Sequence, residues 1–341
     1  EKFLTRLPQA IALCNRLGIA DNLISTDETR RRAFVVHNGR LVPIPEGFFL
    51  MSPRKLGPLL GSPILSLLGK FRVLAELLVP RGPASINLDP ETRSLNTRDE
   101  SVASFARRRL GRETFERLVQ PLIAGIYTAD PEKLSMAATM TEFLAQERDH
   151  GSLLAAARRL RTSHFSDQSS AASGARYSLF VTLQNGIATL AQALAAHLPA
   201  NTIHLNTAVV SIHQITYNRW LLNSESGLPH SAFRPTPNFD ALILAIPTNA
   251  AANILEHEDR TLATALAGIE YAGCNVVSLG FHRNQIGHAL DGFGFVVPQV
   301  ERRRIIAASF ASQKFPGRAP NGTVLTRVFI GGALQPELLD L

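Results

Sequence analysis

Ala33-Phe34-Val35-Val36-His37-Asn38-Gly39-Arg40-Leu41-Val42-Pro43-Ile44-Pro45 sets two short apolar runs on either side of Asn38-Gly39. That dipeptide supplies the positive φ angles of a tight two-residue turn, so the stretch predicts a β-hairpin. Before it, Ala10, Ile11, Leu13, Cys14 and Leu17 follow helical spacing, and Gly18 stands where a helix would be capped. After it, residues 45 to 160 read as mostly helical, and strands return beyond residue 200. The chain therefore mixes helices with sheet, and its 341 residues suit two domains at about 150 residues each.

Composition narrows the function classes. With 45% hydrophobic and 18% charged residues the chain has ample apolar surface to offset its ordering entropy, and it reads as folded and globular. Cys14 and Cys274 are its only cysteines, which excludes a disulfide framework, a four-thiolate zinc site and a cysteine-ligated iron–sulfur cluster. The net charge is +7, carried by 30 Arg against 5 Lys. Arg suits planar contact with carboxylates and phosphates, so an anionic partner is one reading and a compositional bias of the genome the other. The triplets Arg30 to Arg32, Arg107 to Arg109 and Arg302 to Arg304 are not interleaved with aromatics, so no nucleic-acid groove is expected.

Within the helical region, residues 45 to 80 are apolar but broken by Pro53, Gly57, Pro58, Gly61, Pro63 and Gly69. No membrane span of about 20 apolar residues fits there. Short helices carrying Leu59, Leu60, Ile64, Leu65, Leu67 and Leu68 read either as core or as a face resting on lipid. A helix over 99–110 is expected to open at Asp99 and Glu100 and to close with Arg107 to Arg109 before Gly111. Phe115, Leu118, Val119 and Leu122 mark a second helix, which Pro121 should bend or end. Glu147, Arg148, Asp149 and His150 read as a solvated helix end, and 163–176 as a Ser- and Ala-rich linker. Strands are expected over 202–205, 208–212, 220–222, 275–281, 293–297, 305–310 and 324–330, and Ala241-Leu242-Ile243-Leu244-Ala245 looks like a buried parallel strand.

Motifs that name a chemistry are missing. The ten histidines fall into no metal-gathering spacing, and no GxSxG elbow surrounds a serine. Gly292-Phe293-Gly294 has a GxG spacing, but a strand follows it where a phosphate cradle needs a helix, so it reads as a turn entering a strand. The residues alone reach a mixed α and α/β protein with an apolar, Arg-flanked pocket.

Longer segments carry more. The run from Arg31 to Pro45, Ser104-Phe105-Ala106-Arg107-Arg108-Arg109-Leu110-Gly111, and Gln120-Pro121-Leu122-Ile123-Ala124-Gly125-Ile126-Tyr127-Thr128-Ala129-Asp130-Pro131 occur in the order found in the protoporphyrinogen oxidases. So do Gln184-Asn185-Gly186-Ile187, Leu244-Ala245-Ile246-Pro247, Gly292-Phe293-Gly294-Phe295-Val296-Val297-Pro298 and Phe315-Pro316-Gly317-Arg318-Ala319-Pro320. The chain resembles that family over nearly its whole length.

The resemblance implies an α/β (α+β) fold of the FAD-linked amine-oxidase type, with a mixed-sheet substrate domain and an inserted, mostly helical domain. It implies a substrate-domain start over 1–27, a helical domain that can rest on a membrane over 28–165, and a flexible loop over 166–176. The middle of an FAD-binding domain follows over 177–260, and the substrate-domain sheet over 261–341. The implied activity is oxidation of protoporphyrinogen IX to protoporphyrin IX through FAD with oxygen as acceptor, in haem biosynthesis. Coproporphyrinogen III oxidation stays open beside it, as does a non-catalytic tetrapyrrole-binding fragment. Leu122, Gly125, Phe293, Val296, Phe310 and Phe329 fall at substrate-pocket positions, and Val209, Ala245 and Pro247 near FAD. The family's propionate-binding cation aligns with Ala33, and a one-residue slip assigns it to Arg32. No metal is expected and no catalytic residue is assigned. The expected partner is a porphyrinogen, a homodimer stays open, and the expected location is cytoplasmic or peripheral on the inner membrane face. The family's glycine-rich FAD cradle and its last FAD segment are not in this sequence, and Glu1 and Leu341 bound what reads as an internal piece that is inactive by itself.

Overall fold

The structure is a computed structural model that describes residues 2–5, 7–30, 32–82, 99–162, 180–224 and 238–339. The expected linker over 163–176 lies outside the described residues. Two compact units are present: Glu1–Ala191 with Ala272–Leu341, and Gln192–Tyr271.

The first unit is organised by a six-stranded mixed sheet. Its strands are β1 (Phe34–His37), β2 (Arg40–Pro43), β3 (Cys274–His282), β4 (Gly294–Val296), β5 (Ala307–Ser309) and β6 (Thr323–Gly331), in the order β3-β6-β5-β4-β1-β2. The expected hairpin is β1–β2, with Val35 opposite Val42 and with Asn38 and Gly39 at φ 51° and 74°. The Glu301 carboxylate accepts from both turn amides, Asn38 N–H at 2.9 Å and Gly39 N–H at 3.2 Å. All neighbours run antiparallel except β4 on β1, where Phe295 pairs with Phe34 and Val296 with Val35. Gly292 permits that pairing, and Gly294 permits the pairing of β4 with β5. A Cβ on Gly292 would meet the Arg32 carbonyl oxygen at 2.7 Å, and one on Gly294 the Ala308 carbonyl oxygen at a distance no atom pair tolerates. The GxG spacing therefore serves close strand packing, as its position before a strand predicts.

Alternation along the strands divides the two faces. Val35 and Val296 join the large core beneath the helices, with Met51, Leu59, Phe105, Leu118 and Ile123. Phe34, Leu290, Phe310 and Val324 form a separate cluster. The helices over the first face include α1 (Leu67–Leu74), α2 (Val102–Leu110), α3 (Gln120–Tyr127) and α4 (Thr141–His150). Leu59, Ile64 and Leu65 are core residues, whereas Leu67, Leu68, Phe71 and Leu78 are 74, 81, 68 and 85% exposed. Among the described residues no helix is long and apolar enough to cross a membrane.

Three expectations for this region are corrected. The cap of α2 is Ser101, whose side chain accepts from Ser104 N–H, while Glu100 turns to Arg108 at 2.7 Å. Of the two outcomes expected at Pro121, a bend or an end, the end is not what forms. A π-turn over Phe115–Val119 precedes α3, and this widening lets a residue without an N–H enter at the first turn. Glu147 is no solvated helix end. It is buried, 2.7 Å from Arg108 and 3.0 Å from the fully buried Arg109, which also reaches Glu76 at 3.4 Å. Glu76 in turn accepts Leu153 N–H at 2.8 Å and Leu154 N–H at 3.2 Å, capping the next helix. Burial would push the Glu147 carboxyl up, but hydrogen bonds from Arg108 and Gly82 and the charges of Arg108 and Arg109 outweigh it and hold it below the usual range.

The second unit packs an antiparallel sheet of Val209–Thr216, Arg219–Ser224 and Asn238–Phe239 against helices Thr248–Leu255 and Arg260–Ala267. Its core is Ile212, Ala252, Leu255 and Ala263. The strands expected over 202–205 and 241–245 do not form: both segments lie outside any ladder, with Leu205 78% and Ile243 93% exposed. An apolar run becomes a buried strand only when neighbours pair with both its edges, and no described strand does so here.

Arg109→Met would leave Glu76 and Glu147 buried without their shared cation. Breaking such a pair costs about 3–5 kcal/mol, so chemical denaturation should show a loss of that size, and a loss under 1 kcal/mol would contradict the network's role.

Candidate functional site

A cavity of about 450 Å³ opens on the first unit where the end of α3 meets the sheet. Gly125 and Ile126 form its helical wall, and β4, β5 and β6 form its floor. Strand pairing sets that floor in rows. Val296, Ala307 and Phe329 stand side by side in one row, and Gly294, Ser309 and Arg327 in the next. Leu325, Arg327 and Phe329 reach the cavity from alternate positions of β6, as one strand face must.

Hydrogen bonds hold the helix at this height. Gln120 Oε1 accepts Gln299 N–H at 3.0 Å, and beyond the other end of α3 Thr128 O accepts Ala333 N–H at 2.9 Å. At Gly125 the spacing is so close that an added Cβ would lie 3.0 Å from the Val296 side chain. A larger residue there would displace Val296 and shrink the cavity.

The charged lining is one-sided. Lys2, Lys314, Arg318 and Arg327 contribute to it, and no Asp or Glu among the described residues does. Arg318 is fixed by donating to Leu183 O at 2.8 Å. Lys314 Nζ lies 5.8, 5.5 and 5.9 Å from the ring centres of Phe180, Phe293 and Phe315. Burial among these rings, and then the neighbouring charge of Lys2, push the Lys314 amine down to about 7.

The structure brings Gly125, Phe293, Val296 and Phe329 together on this wall. It places the other expected pocket residues elsewhere. Phe310 packs with Phe34, Leu290 and Val324, and Leu122 lies against the helical core. Ala33 lines the cavity, while the Arg32 guanidinium is held by Asp291 at 2.7 Å. The four lining cations were not singled out from the sequence. Only Arg327 left a signal there, as a charge at an alternate position of an apolar strand.

Val209, Ala245 and Pro247 belong to the second unit. Val209 begins its first strand, and Ala245 and Pro247 are exposed just before helix Thr248–Leu255, beside exposed Ile243, Leu244 and Ile246. Such small residues and an uncovered apolar strip fit the edge of a large aromatic cofactor. Among the three there is no cation to meet a diphosphate.

The chain spans 67% of the coproporphyrinogen III oxidase of Bacillus subtilis, with 28% identity over all of its own length. Against the chloroplastic protoporphyrinogen oxidase of Nicotiana tabacum, identity is 28% over 95% of this chain and 56% of that protein. Among solved structures, a protein of Exiguobacterium assigned provisionally as a protoporphyrinogen oxidase superposes with a TM-score of 0.76. It shows 23% identity over all of this chain and 68% of that one, a likeness of fold. The family model described as flavin containing amine oxidoreductase matches residues 3–341, and by that match, over the fold just described, the chain belongs to the flavin-containing amine oxidoreductases.

Proposed function

We propose that this chain supplies the substrate-binding part of an FAD-dependent porphyrinogen oxidase of haem biosynthesis. The observation that carries the reading is the cavity itself: Phe293, Val296 and Phe329 make an apolar floor for a flat macrocycle, Gly125 lets it lie against a helix, and basic side chains face its acidic edge. Sites for such ligands are concave, mostly apolar and fixed by a few polar groups. FAD, when bound, accepts the electrons that a porphyrinogen gives up and passes them to oxygen. The residues of this chain position the ring and keep water from it, which suits a wall with no Asp or Glu among the described residues.

Protoporphyrinogen IX is the primary substrate reading. Coproporphyrinogen III is the second, and the four lining cations favour it, because it carries four propionates where protoporphyrinogen carries two. Val209, Ala245 and Pro247 would hold one edge of FAD. Arg32, next to lining Ala33, is a rim cation in this reading, shared between Asp291 and a propionate.

A complete, flavin-loaded enzyme that contains this chain should convert a porphyrinogen to the fluorescent porphyrin, and Arg32→Ala in it should raise KM severalfold. No turnover of either porphyrinogen would end the oxidase reading, and an unchanged KM would leave Arg32 to Asp291 alone. The 341-residue polypeptide purified by itself is expected to carry well under one flavin per chain; a one-to-one flavin absorbance spectrum would overturn that. Peripheral membrane contact, in the same reading, uses the exposed Leu67, Leu68, Phe71 and Leu78 and not the buried Leu59, Ile64 and Leu65. Flotation with anionic vesicles should weaken on Leu67→Glu with Leu68→Glu, and unchanged flotation would exclude this face.

A further inference from the structure

Four cationic side chains converge on one cavity without a described carboxylate among its lining residues. Lys2 and Lys314 share the Phe180 ring, at 4.2 and 5.8 Å from its centre. Among the described residues neither lysine makes an ion pair. Like charges brought together beside apolar rings oppose folding, and an anionic ligand is what converts that cost into binding. Carboxylates accepting hydrogen bonds from ammonium and guanidinium groups suit this end of the cavity, while Val296 and Phe329 suit the ring behind them.

Resting on the reading of the site as a porphyrinogen pocket, we propose that the Lys314 end of the cavity is a subsite for substrate carboxylates. Lys314 is its specificity-determining residue, favouring a porphyrinogen with four acidic side chains over one with two. The argument is one of charge matching. Two carboxylates leave the Lys314 end of the wall facing apolar substituents, and a buried polar group left without its partner is the strongest discriminator a site has. The charged groups that line the cavity with Lys314 are Lys2, Arg318 and Arg327, all cationic. With its amine near 7 before binding, Lys314 gains a proton as a carboxylate arrives, so affinity for acidic ligands falls as pH rises above about 7.

In a complete, flavin-loaded enzyme that contains this chain, Lys314→Met should raise KM for coproporphyrinogen III about tenfold and KM for protoporphyrinogen IX less than twofold. Lys314→Arg should restore most of the difference. The rise of KM for coproporphyrinogen between pH 7 and pH 9 should flatten in Lys314→Met alone. Fluorescence titration supplies a readout free of turnover: coproporphyrin III should bind more tightly than its tetramethyl ester, and Lys314→Met should narrow that gap. Equal binding of acid and ester, or equal KM shifts for both substrates, would overturn the subsite. Acid-over-ester binding that depends on Lys314 in a protein that oxidises neither porphyrinogen would keep the subsite and discard the oxidase reading.

Discussion

The parallel seating of β4 on β1 joins Phe295 to Phe34 and Val296 to Val35 across some 260 residues of chain, and the cavity depends on it. Register in a sheet is all or nothing, because a slip of one residue sends every side chain to the opposite face. Here a slip would lift Val296 out of its row with Ala307 and Phe329 and present Phe295 to the helices. Gly292 guards this pairing and Gly294 that of β4 with β5, each lying close to its neighbour where a side chain would collide. Gly125 does the same from above, holding α3 within van der Waals contact of Val296. Gly125 thus sets the distance between floor and wall, while Gly292 and Gly294 keep β4 seated between its neighbours in the floor.

The same unit treats buried cations in two opposite ways. Arg109 is wholly enclosed, yet Glu76 and Glu147 flank it, and the carbonyl oxygens of Val79 and Gly151 accept from it. That arrangement is closed: every charge meets its opposite inside the protein, and nothing remains to attract a ligand. The cavity cations differ. Arg318 donates to Leu183 O and to the Thr182 hydroxyl and meets no carboxylate among the described residues, and Lys314 has aromatic faces. A protein able to build the first arrangement can evidently neutralise a buried charge. Setting Lys314 beside aromatic rings with no described carboxylate is therefore informative about what enters the cavity.

Much of the fold was legible because its signals are local. Asn38-Gly39 specifies its turn chemically, and Gly111 ends α2 at φ 88° as a glycine in that place should. The strand before Gly331 shows itself by alternation. The failures are those of context. Glu147 reads as polar surface beside Arg148, Asp149 and His150 until α2 and α4 pack and bring Arg108 and Arg109 to it. Ala241 to Ala245 reads as buried because it is apolar, but burial of a strand is conferred by its neighbours. At the site, Phe310 follows Ser309 by one residue, so the pleat carries it toward the cluster of Phe34 and Val324 while Ser309 stays on the cavity row. Lys314, between Gln313 and Phe315, carried no pattern at all; only folding surrounds it with three rings.

Those rings also explain why the amine can serve as a discriminating group. A cation over an aromatic face gains about 0.5–2 kcal/mol, whereas removing an ammonium from water costs several. The balance at Lys314 falls short of keeping it charged, which is why its amine sits near 7 and not at 10.5. A carboxylate supplies the missing attraction in a way that an apolar substituent cannot. With its amine near 7, Lys314 in the empty site relieves part of the repulsion from Lys2 by releasing its proton in about half of the molecules at neutral pH, and the filled site regains that proton with the anion in place. Preference for acidic ligands then draws both on the cations that line the cavity and on the part of the Lys314 charge that is completed only when its partner arrives.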